Sequence, residues 1–301
     1  MLKITLVCLL AAAAYGAGKY PKHILIFRYF TVRFAMNPLG IGTSQFIQMP
    51  RTLAQALQRN WERRDRPASP EGLESLELWC PTADYSFCVL FDDTGNIAGA
   101  QIGVHKNRVE DLVYDANITG LTSWTTSVNG VTVEYYTIQL YFILKISKEE
   151  RLRTRDPKAM IQHGFVWMTG INGKLYPLST DTSTLGTSSS DFTTQACVPW
   201  MGQHYYHKMT KQTICSAEDI FPWFPLMDSD QLIGLGFMAF MKYNVDNNVQ
   251  DLFEHPDESA VKMIVNNGPD CLYDLARERG VLTMHVYFID TPQYVGCPIF
   301  G

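Results

Sequence analysis

Beyond its N-terminus the chain holds no apolar stretch of the roughly 20 residues that a membrane span requires, and its Cys297-Pro-Ile-Phe-Gly301 ending carries no lipid-anchor tail. It has no basic run: 25 Lys and Arg stand against 30 Asp and Glu, for a net charge of −5. Such a mildly acidic chain lacks the electrostatic footprint of a binder of nucleic acid or anionic membrane. Neither nucleic acid nor a membrane span is therefore expected. No Cys-x-x-Cys occurs, which removes the closely spaced ligand pairs of a structural zinc site. Also missing are Gly-x-Ser-x-Gly, His-Glu-x-x-His and a phosphate-binding glycine loop, and with them the commonest signatures of hydrolases, metalloproteases and nucleotide binders. No motif calls for a cofactor or a metal.

What is present begins with a leader. Lys3 precedes an apolar run from Ile4 to Ala14, and small residues follow at Ala14, Gly16 and Ala17. That is the pattern of a cleaved signal peptide over residues 1–16, and the expected location is secreted and extracellular. Loss of Lys3 takes the net charge from −5 to −6. With 46% hydrophobic and 18% charged residues, the mature chain is of ordinary globular composition and can bury a core.

Seven cysteines are present, and Cys8 lies in the leader. The remaining six are Cys80, Cys88, Cys197, Cys215, Cys271 and Cys297. An even count in a secreted chain predicts three disulfides and leaves their connectivity open. Asn117-Ile-Thr119 is a sequon, and secretion makes Asn117 an expected glycosylation site.

The chain also resembles itself. Cys80-Pro-Thr-Ala-Asp84 aligns with Cys215-Ser-Ala-Glu-Asp219, and continuing without a gap places Asp93 on Asp228 and Gly99 on Gly234. Val109-Glu-Asp-Leu112 then faces Val249-Gln-Asp-Leu252, and Thr137-Ile-Gln-Leu-Tyr-Phe-Ile143 faces Thr283-Met-His-Val-Tyr-Phe-Ile289. The matches are collinear, with an offset growing from 135 through 140 to 146. An internal duplication is the expectation, with the growing offset taken up by inserted residues around 267–280.

Runs rich in β-branched and aromatic residues predict strands over Ile24 to Phe30, Phe87 to Phe91, Ile97 to Val104, Val131 to Ile143, Gly164 to Met168, Leu232 to Tyr243 and Val281 to Ile289. Apolar stripes and caps predict short helices over Pro50 to Arg64, Asp257 to Val265 and Asp270 to Gly280. The fold class read from this is α+β and β-rich: two related antiparallel β units packed together with a few short helices. The expected partition is residues 17–178 for the first half, a Ser/Thr-rich linker over 179–194, and 195–301 for the second half.

Candidate chemistry is sparse. His204 and His207 share a helical face if Tyr205 and Tyr206 lie in a helix, and opposite faces if they lie in a strand. His285 falls where the first copy has Gln139, each flanked by Thr and Tyr. The duplicated acids Asp84, Asp219, Asp93 and Asp228 suit turns and caps better than a calcium or glycosidase site. Aromatics gather at Trp200 and Trp223 near the start of the second copy. Divergence of that copy therefore places the expected ligand site on Trp200, His204, Trp223 and His285. The functional expectation is a secreted disulfide-bonded glycoprotein that binds a small apolar ligand, an extracellular partner protein or the matrix. The alternative is a secreted enzyme using histidines in a cleft of the second half.

Overall fold

The computed structural model describes residues 29–34, 45–143, 148–156, 158–246 and 248–297. The leader expected over residues 1–16 and most of the strand expected over Ile24 to Phe30 lie outside them. Two antiparallel sheets of eight strands make up the fold.

The first sheet is built from β3 (Glu62–Arg64), β4 (Glu77–Cys80), β5 (Phe87–Phe91), β6 (Ile97–His105), β8 (Thr122–Val128), β9 (Val131–Tyr141), β10 (Phe165–Thr169) and β11 (Leu175–Ser179). Their order is β11-β10-β9-β6-β5-β4-β3, with β8 also paired to β9. The second sheet joins β1 (Thr31–Arg33) and β2 (Phe46–Gln48) to β7 (Val109–Leu112), β12 (Phe192–Val198), β13 (Gly202–His207), β14 (Trp223–Asp228), β15 (Gln231–Tyr243) and β16 (Val281–Tyr287). Its order is β12-β13-β14-β15-β16-β1-β2, with β7 paired to the end of β15.

Between the sheets lies one apolar layer. Val89, Ala100, Ile138 and Leu140 of the first sheet meet Val32, Leu235, Phe237, Met284 and Val286 of the second. Phe142 and Phe288 cross edge to face at 5.7 Å, and Trp223 Nε1 donates to Thr169 O across the layer at 2.8 Å. Both sheets are also covered on their outer faces, which explains why strands such as β5 and β14 read as unbroken apolar runs instead of alternating.

Among the described residues there are four short α-helices: α1 (Leu53–Gln58), α2 (Lys148–Thr154), α3 (Glu258–Ile264) and α4 (Asp270–Arg279). The helix expected over Pro50 to Arg64 is shorter. Thr52 caps it by accepting from Gln55 N, and Gln55 Oε1 accepts in return from Arg51 N, a reciprocal cap. It stops because Asn60 turns to φ 57°, after which Glu62–Arg64 pairs with β4. The expected pair of later helices forms with Asp257 as the α3 cap and Gly280, at φ 77°, closing α4. Asp270 is the first helical residue of α4, and Pro269 takes the cap position. The two helices lie on the outer face of the second sheet, where Val261, Ile264 and Leu272 pack with Tyr206, Phe224 and Phe240.

The two sheets share a local register. In the first, Leu90 faces Gly99 and Gly99 faces Tyr141; in the second, Leu226 faces Gly234 and Gly234 faces Tyr287. One residue beyond, both hairpins shift register, Phe91 meeting Ile97 and Met227 meeting Leu232. A Cβ on Gly99 would stand 2.3 Å from Leu140 O, and one on Gly234 would stand 2.3 Å from Val286 O. Only glycine permits that approach in either sheet.

Candidate functional site

On β13 the side chains alternate, so His204 and Tyr206 point to the outer face of the second sheet while His207 joins Tyr176 and Phe221 on the other side. The strand geometry thus separates His204 from His207. On β14 the same alternation sends Phe224 outward and Trp223 into the layer between the sheets. Trp223 therefore does not meet His204. Trp200 sits in the β12–β13 turn at φ 64° and half-buried, its N–H donating to Val295 O at 2.8 Å. Its neighbour Met201, not Trp200, reaches the cavity described below.

His285 lies on β16 beside both flanking strands, opposite Gly236 on β15 and Arg33 on β1. Glycine at 236 makes room for the Phe224 ring, which a Cβ there would meet at 1.9 Å. Phe224 packs against His204 at 5.6 Å and His285 at 5.4 Å, and the two imidazoles stand 5.8 Å apart, nearly perpendicular. Beyond β1 the bridge Glu254 N to Thr283 O, at 2.8 Å, and Thr283 N to Glu254 O, at 2.9 Å, brings a carboxylate to the same spot. Glu254 accepts from His285 Nδ1 at 3.1 Å and from Arg33 Nη1 at 3.3 and 3.4 Å. Relative exposures of 0% for His204, 2% for His285, 1% for Glu254 and 3% for Arg33 place the whole cluster out of water.

A buried carboxylate is tolerable only when paired, and Arg33 is that pair. His204 is pushed down to about 3, chiefly by burial and further by His285 and Arg33, while the Gly202 and Ala196 carbonyls pull the other way. It is thus an uncharged ring at neutral pH. His204 Nδ1 stands 3.0 Å from Gly202 O, a contact that is attractive only if Nδ1 carries the proton. Nε2 of His204 and Nε2 of His285 have no protein partner and no exposure. Each orphan of this kind costs about 1–3 kcal/mol.

Both rings line a cavity of about 20 Å³ between the sheet and the helices, together with Glu254, Thr283 and an apolar wall that includes Met201, Met238, Val261 and Leu272. A space of that size accommodates one water-sized group. The Cys215–Cys271 disulfide holds α4, and so Leu272, over it.

The first sheet has its counterpart position filled differently. Gln139, buried like His285, donates to Gln101 Oε1 at 3.1 Å and to Thr137 Oγ1 at 3.3 Å. Two of the acids aligned in the sequence bond locally: Asp84 accepts from Ser86 Oγ and Asp219 from Ser216 Oγ, both at 2.7 Å. Among the described residues no group of three His, Cys, Asp or Glu side chains converges to hold a metal ion.

No family model, curated protein or solved structure matches this chain. The site must therefore be read from its own geometry. Two of the four expected residues, His204 and His285, are brought together. Arg33 and Glu254, which orient them, were not among the sequence candidates. Nothing local marks Glu254 in Phe253-Glu-His-Pro256, and Arg33 lies just past the end of the strand expected over Ile24 to Phe30. The six cysteines among the described residues are all paired, as Cys80–Cys88, Cys197–Cys297 and Cys215–Cys271. No helix among the described residues is long and apolar enough to cross a membrane. Both features are compatible with an extracellular protein. Asn117 is exposed, and Thr119 of its sequon donates to the carbonyls of Asp115 and Ala116.

Proposed function

We propose that this chain is a secreted, disulfide-bonded glycoprotein that binds a small, largely apolar molecule in the chamber between the second sheet and the α3–α4 pair. The observation that carries this reading is the two unpartnered imidazole nitrogens on the wall of an otherwise apolar cavity. Binding sites are mostly apolar with a few convergent polar groups, and a polar core serving stability alone satisfies its members. The matching registers of β5-β6-β9 and β14-β15-β16 support descent from one duplicated unit. On that reading the second copy gained α3 and α4 as a cover and His285 where the first has Gln139.

An enzyme using these histidines is the second reading. The Glu254–His285 contact favours it, because a carboxylate on Nδ1 readies Nε2 as a base. Closure of the cluster from solvent puts it second.

The test is native mass spectrometry of protein secreted by expressing cells, alongside thermal melting with added neutral amphiphiles. A bound organic molecule, or a rise in melting temperature that His204→Leu and His285→Leu abolish, is the expected result. Absence of both an adduct and any shift, in protein shown to be folded, overturns the proposal.

A further inference from the structure

We infer that the chamber selects a ligand whose polar end donates hydrogen bonds, an alcohol or an amine, and turns away carboxylates and phosphates. This rests on the chamber being the ligand site. His204 Nδ1 faces a carbonyl oxygen at 3.0 Å and His285 Nδ1 faces a carboxylate oxygen at 3.1 Å. Both partners accept hydrogen bonds only, so each ring carries a proton on Nδ1. His204, an uncharged ring at neutral pH, then presents a lone pair at Nε2.

The rest of the polar wall has the same sense. Glu254 is an acceptor, and the Thr283 hydroxyl is directed at the Glu254 carbonyl at 3.4 Å. Arg33, the cation that could balance an anionic head, is not part of the wall and holds Glu254 through Nη1. An anionic head would thus meet a lone pair and a carboxylate. A hydroxyl or amine supplies the donor that His204 Nε2 lacks.

A cavity of about 20 Å³ takes the head alone. Since Cys215–Cys271 ties down α4, room for a tail comes from the other walls. Met201 and Met238 are unbranched and repack readily, and α3 has seven residues.

The experiment compares octanol, octylamine and octanoate on the full mature chain at neutral pH by calorimetric titration and thermal melting. In parallel, long-range ¹H–¹⁵N spectra of histidine-labelled protein read the tautomers. Octanol and octylamine are expected to bind at least about tenfold more tightly than octanoate, with both rings protonated at Nδ1. Octanoate binding as tightly as octanol, or either ring protonated at Nε2, overturns the selectivity while leaving the chamber as a site. If none of the three binds, the chamber reading itself fails. The unmodified chain suffices for every arm.

Discussion

Acid should weaken this fold through His204 in particular. The folded state holds its pKa at about 3, against an ordinary 6.5, because protonation inside the cluster would place a charge beside Arg33 with no water to solvate it. Below 6.5 the unfolded chain binds a proton there that the folded chain refuses. Stability from this group is therefore complete above about pH 6.5 and drains away as pH falls toward 3. At pH 5 the gap between the ordinary value and the working pH is about 1.5 units, and each unit is worth about 1.36 kcal/mol, so the loss is about 2 kcal/mol. For a chain of this size that lowers the melting temperature by about 3 °C. Urea unfolding at pH 7 and pH 5 should be run on the unmodified protein and on His204→Asn, whose amide can still donate to Gly202 O but does not titrate. Other acid-sensitive groups, His105 and His207 among them, are common to both proteins and cancel in the difference. The unmodified protein should lose about 2 kcal/mol more than the variant. Equal losses would refute the claim that His204 is buried uncharged.

Four further outcomes follow from the structure. Replacing Cys197 and Cys297 together by serine removes a loop closure of 100 residues and should cost about 4.7 kcal/mol, while the Cys80 and Cys88 pair, 8 residues apart, should cost about 2.5 by the chain-entropy model; denaturant midpoints of the double variants give the order. Gly236→Ala drives a methyl into the Phe224 ring at 1.9 Å and should cost about 1–3 kcal/mol, whereas Gly296→Ala, with nothing within 4 Å, should be near neutral. Trp223→Phe strands the Thr169 carbonyl and should cost about 1–3 kcal/mol yet leave ligand binding unchanged, since its ring lies on the opposite face of the sheet from His204. Asn117→Gln, secreted from a eukaryotic cell, should lose the mass of one N-linked glycan relative to the unmodified protein.

Much of the β framework was legible because its signals are local. Phe87–Phe91 and the strand following the Asp92–Asn96 turn could be placed to within a residue, since apolar β-branched runs and turn residues alternate cleanly there. Thr137-x-Gln-x-Tyr141 and Thr283-x-His-x-Tyr287 pointed to equivalent strands, and both segments do face a glycine of their neighbour at the tyrosine. Trp223 and Phe224 show where the reading fails. With apolar layers on both sides of the sheet, adjacent residues are both buried, and composition cannot say which faces which layer. Arg33 and Glu254 were illegible for another reason: they lie 221 positions apart and acquire meaning only through β1 docking beside β16.

That docking sets the order in which the chain can be completed. β1 has two neighbours, β2 and β16, and β16 (Val281–Tyr287) leaves a ribosome long after β1 does. A chain synthesised from its N-terminus can assemble β3 to β6 with β8 to β11 as soon as residue 179 has emerged, and join Cys80 to Cys88 without waiting for anything downstream. Thr31–Arg33, made well before β16, must stay unpaired on its inner edge until Val281–Tyr287 has emerged. Arg33 then meets Glu254 only after β16 is in place, and a nascent chain halted before β16 would expose both the open edge and the unmatched carboxylate, the kind of surface on which folding surveillance acts.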